Sequence, residues 1–239
     1  MKYVLFYIGD VPEYVTYCIK NIIKVDTEAE IYFCSDKDLK IKDINFLHVD
    51  DFESDYTTTI KDMDLFNSTN YEGNNLWLSS ILRVFYLLNV AKEFNFNSFV
   101  HFDCDVIIFK PFSALSSVFL DDKINITQLT TSELIFSYSY ISGLSNFETV
   151  CNSLYQKVKR NSLNDSSYIP ANEMILLGEL YKDNPEFFNI IPSLPYSDSD
   201  IIFDPATYGQ YLGGTDLKPN KKFTKKIAPQ HHLVGSEIT

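Results

Sequence analysis

Phe99-Val100-His101-Phe102-Asp103-Cys104-Asp105-Val106-Ile107-Ile108-Phe109 decides how the rest of this chain is read. An apolar run ends in two carboxylates one residue apart, and a second apolar run, 106–109, follows at once. Both runs read as buried strands. Two acidic groups held at the end of a buried strand repel each other, and a divalent cation is the usual offset. The preceding part of the chain has a strand–helix–strand pattern. The triplet therefore falls at the carboxyl end of a strand in an α/β sheet, where open α/β folds bind their ligands.

Upstream, residues 3–8 form a continuous apolar run, as in a strand buried on both faces. Gly9-Asp10-Val11-Pro12 is a turn, with Pro12 suited to a first helical turn. The spacing of Tyr14, Tyr17, Cys18 and Ile22 predicts a helix over 13–23. Residues 31–34 read as a second strand ending at Ser35-Asp36, and 45–49 as a weaker one. Residues 50–73 are polar and without period, which predicts a long loop, either a lid or a solvated excursion. The next segment, 74–92, is the strongest helix. Trp77, Ile81, Val84 and Leu88 form one stripe, and Leu82, Phe85, Tyr86, Leu87 and Val90 fill most of the remainder. A helix apolar nearly all round is buried. Arg83 is the one charge in its central part. Either it snorkels to water or it needs an anion, because an unpaired buried guanidinium is very costly.

Downstream, strands are expected near 124–129 and 134–138, and helices over 147–158 and 172–180. Short apolar runs occur at 190–191 and 201–203, and a turn or short helix at 208–212 ends in Gly213-Gly214. No repeat or linker interrupts the pattern. The expectation is one domain, 1–239, in two unequal halves, 1–110 and 111–239.

The bulk properties exclude several classes. The 239 residues are 45% hydrophobic, enough for a substantial core. A net charge of −12 repels nucleic acid, so no nucleic-acid partner is expected. The four cysteines form no CxxC pair and read as buried thiols rather than a disulfide framework. No signal peptide is evident, and no stretch approaches the about 20 apolar residues of a membrane span. The chain reads as soluble and cytoplasmic, with its oligomeric state undetermined.

In an extended chain, residues i and i+2 point the same way. Asp103 and Asp105 could both reach one cation, or one could take the cation and the other a ribose hydroxyl. Oxygen ligands with open positions suit Mg²⁺ or Mn²⁺ carrying a diphosphate, which such an ion neutralises as a glycosyl or phosphoryl bond breaks.

The segment from Ser79-Ser80-Ile81-Leu82-Arg83 through Asp103-Cys104-Asp105 resembles nucleotide-sugar glycosyltransferases of the GT-A fold, with an α/β, Rossmann-like, mainly parallel mixed sheet flanked by helices. Phe203-Asp204-Pro205-Ala206-Thr207-Tyr208-Gly209-Gln210-Tyr211-Leu212-Gly213-Gly214 resembles a block of bacterial and large-virus polysaccharide glycosyltransferases. The resemblance implies a UDP-linked donor and a glycan or lipid-linked acceptor. It implies that Tyr7, Ile8 and Gly9 line the nucleotide, that Asp36 faces the base or ribose, and that Arg83 sits beside the donor and the Asp103-Cys104-Asp105 triplet. It further implies metal ligation by Asp103 and Asp105, and by a C-terminal histidine, His231 or His232.

Glu173 is read as the base for the acceptor hydroxyl, or as a carboxylate facing positive charge at the anomeric carbon. A first-turn acid favouring the helix dipole is the plain alternative. Asp204 is the rival acid or base, or simply a turn residue before Pro205. Gly213-Gly214-Thr215 is read as an acceptor-holding turn. His101 is a third candidate ligand, though alternation aims it into the core. Two other functions fit an Asp-x-Asp strand: a haloacid dehalogenase-type phosphatase, which usually carries it on its first strand, and a non-catalytic nucleotide- or carbohydrate-binding module.

Overall fold

A computed structural model describes residues 1–63, 76–163, 172–193 and 200–205. In chain order the elements are β1 (Lys2–Tyr7), α1 (Glu13–Val25), β2 (Glu30–Ser35), β3 (Asn45–His48), α2 (Asp55–Asp62), α3 (Leu76–Glu93), β4 (Ser98–Phe102), α4 (Phe112–Leu115), β5 (Ile124–Thr130), β6 (Glu133–Ser142), α5 (Leu144–Leu163), α6 (Glu173–Asp183) and β7 (Phe188–Ile190). The strands form one seven-stranded sheet in the order β3-β2-β1-β4-β6-β5-β7. Strands β3, β2, β1 and β4 are mutually parallel, β6 runs antiparallel to both β4 and β5, and β7 is parallel to β5. The expected α/β class and mainly parallel mixed sheet are therefore observed.

Strand alternation divides the core in two. Val4, Phe6 and Phe99 join the buried residues of α3, α5 and α6, while Tyr3, Leu5, Val100 and Phe102 join Val15, Cys18, Ile19 and Ile22 of α1. As its composition requires, α3 is buried nearly all round: Val84, Phe85, Leu88, Val90 and Ala91 have no exposure. It lies between the sheet and the other helices, so it has almost no solvent face.

Two expectations fail. Residues 106–109 are not a strand. The Val106 N–H closes a turn on the Asp103 carbonyl at 3.0 Å. Asn21 on α1 then occupies both backbone groups of Ile108, accepting from its N–H at 2.8 Å and donating to its carbonyl at 3.1 Å. With those groups satisfied by a side chain, the segment has no need of a sheet partner, and Phe109 stays 85% exposed.

The 50–63 part of the expected loop is also structured. A 3₁₀ turn at Val49–Phe52 leads into α2, whose start is fixed by a capping box between Ser54 and Thr57. Phe52, Thr57 and Ile60 carry the buried face, too few apolar residues to show a period. Elsewhere β6 and α5 are longer than the runs that announced them, and β7 forms at 188–190. Among the described residues no helix is long and apolar enough to cross a membrane.

Helix α6 packs on the β5–β6 turn through Gly178, where a Cβ would lie 1.9 Å from the Ser132 carbonyl oxygen. Neither backbone can yield cheaply. Gly178→Ala is expected to destabilise the chain by about 1–3 kcal/mol, the range for overpacking, read as a lower midpoint in thermal denaturation.

Candidate active site

The strand order reverses between β1 and β4. From β1 the chain builds outward through β2 and β3, then returns to place β4 on the opposite side. The crevice beyond the carboxyl ends at such a reversal is the ligand site of open α/β sheets. Tyr7, Ile8 and Gly9 leave β1 there, Asp36 follows β2, and Asp103 follows β4.

Gly9 has φ +99°, a conformation that other residues rarely adopt, and open space lies where its Cβ would be. Its N–H donates to Asp36 Oδ1 at 2.7 Å, tying the two loops together. Asp36 is thus a cap for the Gly9 turn, placed on the floor of the crevice. Tyr7 packs edge-on against Tyr14 of α1, with ring centroids 6.4 Å apart. The Asp105 and Cys104 side chains lie near enough to add to the burial that raises the Tyr14 pKa.

Arg83 is the centre of the opposite wall. It is 8% exposed, so its charge is taken almost wholly out of water. One Nη pairs with Asp103, and the other donates to Glu173 Oε1 at 3.2 Å. The second Glu173 oxygen accepts from Ser80 Oγ at 2.8 Å. Ser80 precedes Arg83 by three residues, so both lie on one face of α3. Burial works to lower the Arg83 pKa, but the two carboxylates outweigh it and hold the guanidinium charged. For Glu173 burial is the largest influence and leaves the carboxyl above its usual range, although Arg83 and Ser80 oppose it. Its position in the first turn of α6, behind the Asn172 cap, adds the dipole contribution expected from sequence. The dominant contact, however, is the buried ion pair.

Asp105 stands at the rim and is exposed. Partial burial of its carboxyl, then the Asp103 charge, pushes its pKa up, and Asp204 adds to the effect. Asp204 is carried there by its neighbour Phe203. That residue's N–H donates to the Pro192 carbonyl at 2.9 Å, and its ring packs 4.9 Å from that of Tyr138. Strand alternation does not set the Asp105 direction, because the chain turns after Asp103.

Cys104 points away from the crevice. Its side chain is buried in the α1-side core, and its thiol donates to the Phe6 carbonyl at 3.6 Å. Burial raises its pKa well above the ordinary value, so it can offer a ligand only its backbone. His101 is not placed as a metal ligand either. It is fully buried, with Nδ1 2.7 Å from the Val4 carbonyl. Burial and the nearby Arg83 charge push its pKa down to about 3. His231, His232 and the Gly213-Gly214-Thr215 turn lie outside the described residues.

Among the described residues no group of three or more His, Cys, Asp and Glu is clustered to hold a metal. The acidic pair nonetheless fits a hard cation that draws its other ligands from phosphate and water. Arg83 does not cancel the negative field that Asp103 and Asp204 impose on Asp105.

No protein-family model matches the chain, and no curated protein matches it. Solved structures do match. Mouse xyloside xylosyltransferase 1, in its apo form, aligns over 80% of this chain and 86% of its own with TM-score 0.52 and 8% identity. The PaToxG glycosyltransferase aligns over 77% and 69% at TM-score 0.46 and 13% identity. Apo GlyE, a glycosyltransferase of Streptococcus pneumoniae, aligns over 80% of this chain and 45% of its own at TM-score 0.45 and 10% identity. The xylosyltransferase match, taken with the strand order, establishes the GT-A fold.

Removing the guanidinium strands two carboxylates. Arg83→Met is expected to cost about 3–5 kcal/mol, and adding Glu173→Leu to restore at least half of it. The sign with pH is also set. Without Arg83 the Glu173 carboxyl rises further above its unfolded value, so the folded state holds a proton that the unfolded state has released. Stability then falls as pH rises through that window, and the Arg83→Met deficit should be smaller at pH 5 than at pH 8. Thermal midpoints of the single and double variants at both pH values check this.

Proposed function

We propose that the chain is a metal-dependent glycosyltransferase that moves a sugar from a nucleotide diphosphate donor, UDP-linked, to a hydroxyl of a glycan or lipid-linked acceptor. The observation that carries this is the Asp103–Arg83–Glu173 clamp with Asp105 beside it, at the point where the strand order reverses. Such a site combines an acidic cation seat with a buried positive charge, as a diphosphate leaving group requires. The GT-A fold shared with the mouse xylosyltransferase supports the same reading.

In this reading Asp103 and Asp105 hold Mn²⁺ or Mg²⁺, with His231 as a further ligand. The ion supplies neutralisation of the diphosphate as the glycosyl bond breaks. Tyr7, Ile8 and Gly9 line the nucleotide, the open space above Gly9 allowing close approach, and Asp36 faces the base or ribose. Arg83 holds Asp103 in one orientation and presents its positive charge to the crevice.

The Glu173 contacts favour its electrostatic role over that of base, since Arg83 and Ser80 occupy both its oxygens. Asp204 is exposed and close to Asp105, and is the better placed of the two to take a proton from the acceptor. Residues 1–110 form the nucleotide-sugar half and 111–239 the acceptor half, and polysaccharide assembly is the process that fits. A phosphatase of the haloacid dehalogenase type usually carries its Asp-x-Asp on the first strand, whereas here the motif follows β4.

The test is donor turnover. A thermal-shift series of nucleotide sugars with and without Mn²⁺ identifies the donor by mass action, and its hydrolysis or transfer is then followed. Asp105→Ala is expected to lower turnover at least about 100-fold while shifting stability by no more than about 0.5 kcal/mol, as for other exposed positions. Mn²⁺ should no longer raise its melting temperature. Unchanged turnover in Asp105→Ala would overturn the assignment.

A further inference from the structure

His101 is a buried titratable group that the proposed reaction leaves unused. Its surroundings give it a task. The side chain shares the α3 face of β4 with Asp103, two residues on, and so lies on the same side of the sheet as the guanidinium that Asp103 binds. Its Nδ1 meets the Val4 carbonyl. A carbonyl only accepts, so Nδ1 carries the proton and Nε2 of the neutral ring is a bare acceptor. That Nε2 is buried and has no partner among the described residues.

One other buried atom nearby has the same problem with the opposite sign. Arg83 uses its two Nη groups on Asp103 and Glu173, and its Nε–H, a donor, has no partner. Both groups meet the Phe136 ring, the guanidinium carbon 5.8 Å and the imidazole 5.9 Å from its centroid. The register explains why that ring is there. β5 pairs Ile126 with Ser139 but Thr127 with Ile135, so residues 136–138 form a bulge, and Phe136 packs into the α3-side core. A buried donor and a buried acceptor left apart would each lose the hydrogen bond that water gave it in the unfolded chain.

We propose that His101 is a positioning residue for Arg83, one buried water accepting from Arg83 Nε–H and donating to His101 Nε2. The Val4 carbonyl sets the tautomer, the tautomer sets the direction of the bridge, and the bridge fixes the third nitrogen of a guanidinium whose other two grip Asp103 and Glu173. A site with a donor on one side and an acceptor on the other is a suitable home for an ordered water. The effect on catalysis rests on the proposed function, whereas the hydrogen-bonding arrangement does not.

Two substitutions separate the roles of the ring. His101→Asn keeps an amide N–H near the Nδ1 position for the Val4 carbonyl and removes the Nε2 acceptor. His101→Gln places an amide group near Nε2. In the ligand-free wild-type protein, ¹⁵N spectra should show His101 protonated on Nδ1 only, and a single Arg83 Nε–H resonance protected from solvent exchange. In His101→Asn that exchange should accelerate at least about tenfold, with kcat for transfer falling about tenfold and KM changing less. His101→Gln should recover a large part of both.

A wild-type ring protonated on Nε2 overturns the proposal, as does an Arg83 Nε–H unaffected in His101→Asn. So does a kcat loss that follows melting temperature equally in the two variants, which would mark a purely structural residue. A chain that transfers no sugar yet shows the expected resonances sustains the bridge and removes only the glycosyltransferase reading.

Discussion

The site depends on one buried guanidinium. A charge removed from water as fully as that of Arg83 survives only with anions in contact. Here the anions come from two places far apart in the chain, the end of β4 and the start of α6. The pairing therefore fixes the geometry of three elements at once. Helix α3 supplies the cation and the Ser80 hydroxyl, α6 begins with its capped first turn against them, and Asp103, which opens the turn to Val106, is held in one direction. A buried ion pair is weak evidence for net stability, because apolar replacements are often as good. Its retention in the core of an apolar helix points to what the pair does for the crevice.

Electrostatics also bear on the proposed cation. The chain carries a net charge of −12, and the described rim adds Asp105 and Asp204 to Asp103 and Glu173. A nucleotide diphosphate approaching that rim meets repulsion. Arg83 is already committed to two carboxylates and cannot supply the missing attraction alone. In the proposed function, a divalent ion held by Asp103 and Asp105 would reverse the sign of the local field. The raised Asp105 pKa comes first from burial of its carboxyl and then from the Asp103 charge. Asp103 and Asp105 thus do different work: one is anchored inward by Arg83, and the other faces solvent.

Much of this was legible in the sequence wherever a single feature had a single physical solution. The apolar run ending in Asp103-Cys104-Asp105 meant a strand end with surplus charge. Arg83 in an all-round apolar helix meant either a route to water or an anion partner, and the structure takes the second. The partner's identity was harder. Glu173 was read either as a catalytic carboxylate or as an ordinary first-turn acid, and only the packing of α6 on α3 shows that it closes the clamp. The Ser80 spacing from Arg83 was a signal that could have been used. His101 was suspected as a ligand because it stood near the acids, and it does share a face with Asp103, but it lies deeper in the sheet, enclosed by the Val4 carbonyl and the Phe136 ring. The 50–63 segment misled because α2 needs only a capping box and a few buried side chains. The β6 bulge that brings Phe136 beneath Arg83 leaves no mark in composition or periodicity.

The failure of 106–109 to form a strand is the most instructive departure. Val106-Ile107-Ile108-Phe109 has the composition of a central strand, and continuing β4 would have carried Asp103 and Asp105 into the middle of the sheet. Polar side chains on the α1 side prevent it. Asn21 satisfies both backbone groups of Ile108. The Asp26 carboxylate accepts from the Phe112 N–H at 3.1 Å and from the Tyr3 hydroxyl at 2.6 Å. Each bond compensates a backbone or hydroxyl group that a ladder would otherwise have to satisfy. Their joint effect is to end β4 at Phe102, turn the chain at once, and leave Asp105 on the rim rather than in the core. The acidic site is therefore held open by hydrogen bonds on the face of the sheet opposite the Arg83 clamp. A pattern of apolar residues alone could not have placed it there, because the deciding groups are an asparagine and an aspartate more than eighty residues earlier in the chain.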